Sequence, residues 1–315
     1  MAPATVKTRI LILSEEPDPR FHLKPVDILI HCGNLTEHDF HEEYKKVVHL
    51  LNRIDAQLKL VVSGDNDRSL TLGPQFRSQG RPLHGDLSTS EYFASSNINI
   101  LKDGVHEFTL GNGANLRVYA HSGTPQRSPL KFNSRLRAME EGAPRGPRPE
   151  VLATIGNRDY TLADHQDIDI AITHGAPLTI LDKDRDGDAQ GSGQLLNETG
   201  TARPLLHCFG SVPEAWGARL VHWGDEDLKQ GQAADLRRSR AHKIGISPGA
   251  DAQGYSYFKP VTVGLNTLVR NQSTLFVNAS MSLTRLAWVV DLELLTGANQ
   301  EGGDICDVVE GRSIG

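Results

Sequence analysis

The chain of 315 residues reads as an α/β protein whose sheets are covered by helices. Three observations carry that reading. Short runs rich in Val, Ile and Leu recur along the chain, one amphipathic segment lies between the second and third of them, and five of the runs stop in short polar loops. Near-continuous apolarity over five to eight residues marks strands buried on both faces, as in sheets sandwiched by other layers.

In chain order the runs are TRILILS (8–14), VDILIHC (26–32), LKLVVSG (58–64), LRVYAHS (116–122), IDIAITHG (168–175), PLLHCFG (204–210), LFVNAS (275–280) and AWVVDLEL (287–294). Between the second and third, DFHEEYKKVVHLLNRID puts Phe40, Tyr44, Val47, Val48, Leu51 and Ile54 on one helical face. Asp39 and Glu42 have the spacing of a capping box at its start. The order is therefore β-β-α-β followed by further strands. The Pro-, Arg- and Gly-rich stretch 124–150 is expected to be a long loop or flap, and 1–315 is expected to be a single domain, with no internal repeat.

Composition narrows the function classes. A net charge of -6 with 33 scattered Lys and Arg argues against a nucleic-acid partner. Cys32, Cys208 and Cys306 are odd in number and far apart, which implies neither a disulfide framework nor a CxxC metal site and fits a reducing compartment. No stretch approaches the roughly 20 apolar residues of a membrane span, and the N-terminal apolar run is too short for a signal peptide. The expectation is a soluble, cytoplasmic protein without a membrane partner, whose four N-x-S/T sequons, at Asn34, Asn197, Asn271 and Asn278, go unglycosylated. The oligomeric state is not written in the sequence.

The run-ending loops are SEEP, GNLTEHD, GDND, THGAP and GSVPEAWG. In layered α/β folds, loops at the carboxyl ends of strands assemble the site. ILIHCGNLTEHDFHEEYKKVVHLL, VVSGDNDRSL, DIAITHGAP and RPLLHCFGSVPEAWGARLV resemble, in order and spacing, the segments of the calcineurin-like metallophosphoesterases, in particular a small fungal cytosolic branch. The resemblance runs from about Arg9 to Leu295. It implies a two-sheet β sandwich flanked by helices.

It also implies a pair of metal ions about 3.5 Å apart that generate a hydroxide for phosphoester hydrolysis. The family's motifs D-x-H, GD, GNHD, THG and GH-x-H supply the ligands and the catalytic histidine. Here those places read Glu15, Pro17, Asn34, Asp65, Asn66, His174, Ser211 and Pro213. Only His174 keeps the family residue. Asn34 stands where the bridging carboxylate belongs, and neither proline offers a ligating side chain, so the expectation is no metal and no other cofactor.

The changed positions nonetheless stay polar, and His121 stands in VYAHSGTP where the family carries a small residue. His174, Asp65, His121 and Glu15 are the candidate catalytic groups, two imidazoles and two carboxylates suited to acid and base work. His174 and Asp65 are expected within hydrogen-bond reach of each other. Asn34, Asn66 and Ser211 are the candidate substrate-binding groups, able to donate to an oxyanion. The leading reading is a metal-independent lyase, isomerase or cyclase acting on a small molecule, by analogy in specialised metabolism. The alternatives are a small-molecule-binding protein without turnover and a phosphodiesterase with one residual ion.

The remaining candidates read as structure. DKDRDGDAQGSG (182–193) has EF-hand-like spacing, but Gly193 replaces the bidentate Glu, leaving a solvated acidic loop. His207 and His222 read as packing histidines in apolar strands, and Trp216 as a packing residue.

Overall fold

The computed structural model describes residues 4–15, 25–71, 89–122, 160–224, 240–243, 249–250, 256–257, 268–283 and 287–297. The expected flap at 124–150, Pro17 and Cys306 lie outside the described residues.

All eight apolar runs form strands. They are β1 (Thr5–Leu13), β2 (Val26–His31), β3 (Ala56–Val61), β6 (Asn115–His121), β7 (Ile170–Thr173), β8 (Leu206–Phe209), β13 (Ser273–Asn278) and β14 (Trp288–Leu295). Shorter or more polar strands join them: β4 (Asn99–Ile100), β5 (Gly104–Thr109), β9 (Gly217–His222), β10 (Arg240–Lys243), and the two-residue pair β11 (Gly249–Ala250) and β12 (Ser256–Tyr257). The described helices are α1 (His41–Asn52), α2 (Arg68–Thr71), α3 (Thr89–Ser95) and α4 (Gly193–Ala202).

The strands build two main sheets, as the resemblance implies. One runs β14-β1-β2-β3-β4, the other β10-β9-β13-β8-β7-β6-β5. Within each, the central strands are parallel: β1 through β4 in the first, and β6, β7, β8 and β13 in the second. The period of two sorts their side chains. Ile10, Ile12, Ile28, Ile30 and Leu60 face Val118, Ala120, Ile170, Ile172, Leu206 and Val277 in one shared core between the sheets. Leu11, Leu13, Leu29 and Val61 point the other way, under Tyr44, Val47, Val48 and Leu51 of α1 and Phe93 of α3. Outside the second sheet, Phe209, Phe276 and Val221 pack with Leu196 of α4.

Two expectations about α1 need correction. Phe40 is 49% exposed and precedes the helix, stacked on the His38 ring. Glu43, not Glu42, completes the cap: its carboxylate accepts the Phe40 N–H at 2.8 Å and those of Glu37 and His38. Asp39 instead accepts from the Tyr44 hydroxyl and the Ser69 N–H, tying α1 to α2. The acidic loop is only partly solvated, because Asp182 is buried and accepts the N–H groups of Thr179 and Gly191. His207 packs as expected, between the hydroxyls of Thr173 (2.9 Å) and Thr199 (3.1 Å). Trp216 stacks on Trp288 with ring centroids 4.7 Å apart.

Candidate functional site at the strand ends

The parallel strands of both sheets end in the same region. The Ser14 hydroxyl stitches them there, donating to Gly33 O at 2.8 Å in the first sheet and lying 3.4 Å from Gly210 O in the second. Backbone bonds carry the ladders one residue beyond the strands, with Cys32 N–H donating to Leu13 O, His174 N–H to His121 O and Gly210 N–H to His174 O. Every loop singled out in the sequence therefore starts from a fixed backbone.

His174 lies at the centre and is fully buried. Its Nδ1 sits 2.8 Å from Cys32 O, and because a carbonyl can only accept, Nδ1 carries the proton. In the neutral ring the lone pair then lies on Nε2, which has no hydrogen-bond partner among the described residues. Asp65 Oδ2 lies 3.9 Å from it. The expected direct hydrogen bond is therefore not formed, since 3.9 Å exceeds hydrogen-bond reach. Asp65 extends from the β3 end and is 34% exposed, which makes it the outward edge of the group.

Two glycines permit this packing. A Cβ on Gly64 would lie 2.3 Å from Asn34 N and 2.8 Å from His174 Cε1, and one on Gly33, at φ +92, would lie 2.6 Å from His174 Nδ1. Asn34 follows at φ 57, a left-handed conformation that Asn tolerates better than most residues. Its Oδ1 accepts the Asn66 N–H at 3.3 Å. Asn34, Asp65, Asn66 and His174 thus gather around Gly33 and Gly64.

Glu15 occupies φ 66, where a side chain with a Cβ is strained. Its N–H donates to Gly33 O, and its carbonyl accepts from His31 Nε2 at 2.9 Å. The Gly33 N–H donates to His31 Nδ1, so both ring nitrogens are committed. Desolvation holds the His31 pKa down at about 4, in keeping with a neutral ring. Glu15 Oε1 accepts from the Ser280 hydroxyl at 2.7 Å, while Oε2 is buried with no hydrogen-bond partner among the described residues.

Asp67, which sequence reasoning passed over, braces the floor. Its carboxylate accepts the N–H groups of Leu35, Thr36 and Gly64 and the Thr36 hydroxyl. Burial pushes its pKa up, opposed by those donors and by the nearby His174. The signal was present in GDND, whose last residue is the carboxylate able to cap three loop amides.

The remaining sequence candidates border this cluster. His121 is buried at the end of β6, its ring 4.4 Å from that of Tyr160. Ser211 is partly exposed just past β8, and Pro213 opens a 3-10 turn. Tyr160 and Ser280 were not foreseen. Tyr160 lies between the expected flap and the run that begins at Ile168, and Ser280 is the last, polar residue of LFVNAS, so neither carries a motif signal of its own.

No protein-family model matches the chain. In sequence it is similar to a probable rhamnogalacturonate lyase C of Emericella nidulans, 27% identical over 217 residues, which make up 68% of this chain and 18% of that protein. It is also 27% identical over 206 residues to metallophosphoesterase domain-containing protein 1 of Homo sapiens and of Mus musculus, covering 61% of this chain and 55% of each of those. The chain thus spans about half the length of the mammalian relatives and far less of the fungal one. Of solved structures, purple acid phosphatase PPD1 of yellow lupin aligns over 94% of this chain and 47% of its own, at 10% identity and a TM-score of 0.37. The mammalian matches support a relationship with metallophosphoesterases, in keeping with the resemblance at the strand-end motifs. No helix among the described residues is long and apolar enough to cross a membrane.

Proposed function

We propose that this chain is a metallophosphoesterase relative, from a fungal cytosolic branch, whose strand-end site binds a small molecule and performs acid–base chemistry without the family's two ions. One observation carries the reading: His174 presents a buried, unpartnered Nε2 lone pair toward Asp65 at 3.9 Å, with its tautomer fixed by Cys32 O. A buried acceptor left open in a folded protein calls for a partner, whether water, ion or ligand, or for a catalytic role, and the polar groups around His174 favour a ligand that reacts there.

The donor set does not fit a dinuclear centre. Asn34 is a neutral amide whose Oδ1 is already engaged by Asn66, and one oxygen of Glu15 is engaged by Ser280. Among the described residues no three His, Cys, Asp or Glu side chains group so as to hold an ion.

In the proposed chemistry His174 Nε2 takes a proton from the substrate. Cys32 O keeps the ring oriented, and the Asp65 carboxylate stabilises the imidazolium that forms. The amides of Asn34 and Asn66 and the Ser211 hydroxyl are the donors for charge developing on a substrate oxygen. Lyase, isomerase or cyclase chemistry uses such proton transfers. The lyase name of the fungal relative adds nothing to this, since the match covers 18% of that protein.

The purified protein is expected to contain no stoichiometric pair of transition metals and to leave bis(4-nitrophenyl) phosphate unhydrolysed. Two ions per chain by elemental analysis would overturn the reading. One ion, with activity lost on chelation and restored by manganese, would favour a mononuclear phosphodiesterase. In a turnover assay, His174→Ala and Asp65→Asn should each cost about 10²-fold while the fold persists. A loss of ligand affinity alone would identify a binding protein instead.

A further inference from the structure

Besides His174 Nε2 and Glu15 Oε2, the Tyr160 hydroxyl is a buried polar atom near this site with no hydrogen-bond partner among the described residues. Tyr160 is 5% exposed. Its ring lies 4.4 Å from that of His121, whose carbonyl accepts the His174 N–H at 3.1 Å. Glu15 is linked to His174 through Gly33, its N–H bonded to Gly33 O and Gly33 packed against the His174 ring. Burial pushes the Tyr160 phenol well up, helped by the charges of Asp65 and Asp103, so it is an O–H donor at neutral pH. The contrast with Tyr119 is informative. That neighbouring tyrosine is equally buried, but its hydroxyl accepts the Thr161 N–H at 3.1 Å.

The three open atoms differ in what they require. A carboxylate oxygen and an imidazole lone pair accept, so Glu15 and His174 need hydrogen donors. A phenol donates, so Tyr160 needs an oxygen. A phosphodiester supplies no donor at its phosphorus centre and would face a carboxylate.

We propose that Tyr160 is a third ligand-contacting residue of this site, and that the ligand is a hydroxylated molecule (an alcohol, enol or phenol) that donates to Glu15 and His174 and accepts from Tyr160. This rests on the reading of His174 as the open acceptor. Asp65, the exposed edge of the group, marks the side from which such a ligand enters. Tyr160 thereby sets specificity, rejecting analogues that lack an oxygen at its position.

The test uses the full chain, treated with chelator, and two chromophoric probes: 4-nitrocatechol in mildly acidic buffer, where it is mainly neutral, and 4-nitrophenyl phosphate. Wild type should bind 4-nitrocatechol saturably, with an absorbance change, and not the phosphate. His174→Ala should abolish the absorbance change. Tyr160→Phe keeps the ring against His121 and should weaken binding roughly five- to tenfold, the worth of one hydrogen bond. Its melting temperature should stay the same or rise, because only an unsatisfied hydroxyl is lost. Wild-type affinity in Tyr160→Phe, with binding lost in His174→Ala, would overturn the inference and leave the His174 reading intact. A lowered melting temperature in Tyr160→Phe with unchanged binding would do the same, showing a packing role. Binding unaffected by either substitution, or seen only with the phosphate, would overturn both. Failure of wild type to bind either probe would overturn the hydroxylated ligand class.

Discussion

His174 was legible because an apolar run fixes its backbone: IDIAITH delivers a side chain at a buried strand end whatever follows. Its tautomer was not legible, since that depends on Cys32 O, 142 residues away in sequence. The direct contact with Asp65 was misjudged because side-chain separation across two loops depends on how closely those loops pack. Gly33 and Gly64 control that packing, and neither was weighed in the sequence. Gly64 is the sharper case, for it needs no unusual φ and its constraint is purely steric. In Gly64→Ala the new methyl meets Asn34 N at 2.3 Å and Asn34 Oδ1 at 2.5 Å, forcing backbone and not merely a flexible side-chain end to move. Overpacking of this kind costs about 1–3 kcal/mol. Gly64→Ala is expected to lower the unfolding free energy by that amount, with an earlier denaturation midpoint, and to disturb the His174 ring resonances in NMR spectra. An unchanged midpoint would mean that the loops yield more freely than their contacts suggest.

Legibility among the strands and helices follows from burial. Strands covered on both faces carry unbroken apolar runs, and each of those was found at nearly its true bounds. β5 was missed because it is an edge strand whose GVHEFT includes exposed residues. β9, in GARLVH, was read only as the apolar strand context of His222 and not as one of the runs, because Arg219, which reaches out to Thr179 O, interrupts it. The helix α1 was legible from its period, but its cap was misassigned by one residue because the helix starts at His41, later than Asp39. Glu43 then lies three residues beyond Phe40 and accepts the N–H groups of Glu37, His38 and Phe40. Glu43→Ala leaves those donors to solvent and removes a negative charge from the positive end of the helix dipole. The expected loss is about 1–2 kcal/mol in chemical denaturation. Glu42→Ala should cost clearly less than Glu43→Ala, since Glu42 pairs with Lys45 on the exposed face of the helix. Equal losses in the two variants would restore Glu42 as the capping residue.

For the molecule as a whole, acid should unfold it through two buried rings. Desolvation holds His31 at about 4 and His207 at about 3, against an ordinary value of 6.5. Below pH 6.5 the unfolded chain takes up protons that the folded rings refuse, so each step toward acid favours unfolding. The stability that the neutral rings contribute is full above 6.5 and lost as pH falls, down to about 4 for His31 and about 3 for His207. Together the two shifts amount to several kcal/mol, a large part of the stability of an ordinary domain. Asp67 acts in the opposite sense. Its pKa is raised, so the folded state binds its proton more readily than the unfolded chain, and acid uptake there offsets part of the loss. The carboxylates of Glu42, Glu43 and Asp291, whose pKa values are lowered by their partners, add to the loss only in stronger acid. Stability measured by urea denaturation should therefore be nearly flat from mildly alkaline pH to about 6.5 and then fall steeply. His207→Gln keeps polar contacts with Thr173 and Thr199 in reach while removing one of the two titrating rings. Its curve should be shallower by about one proton across the same window. A variant with the wild-type slope would mean that His207 stays neutral in both states and that the acid sensitivity lies elsewhere.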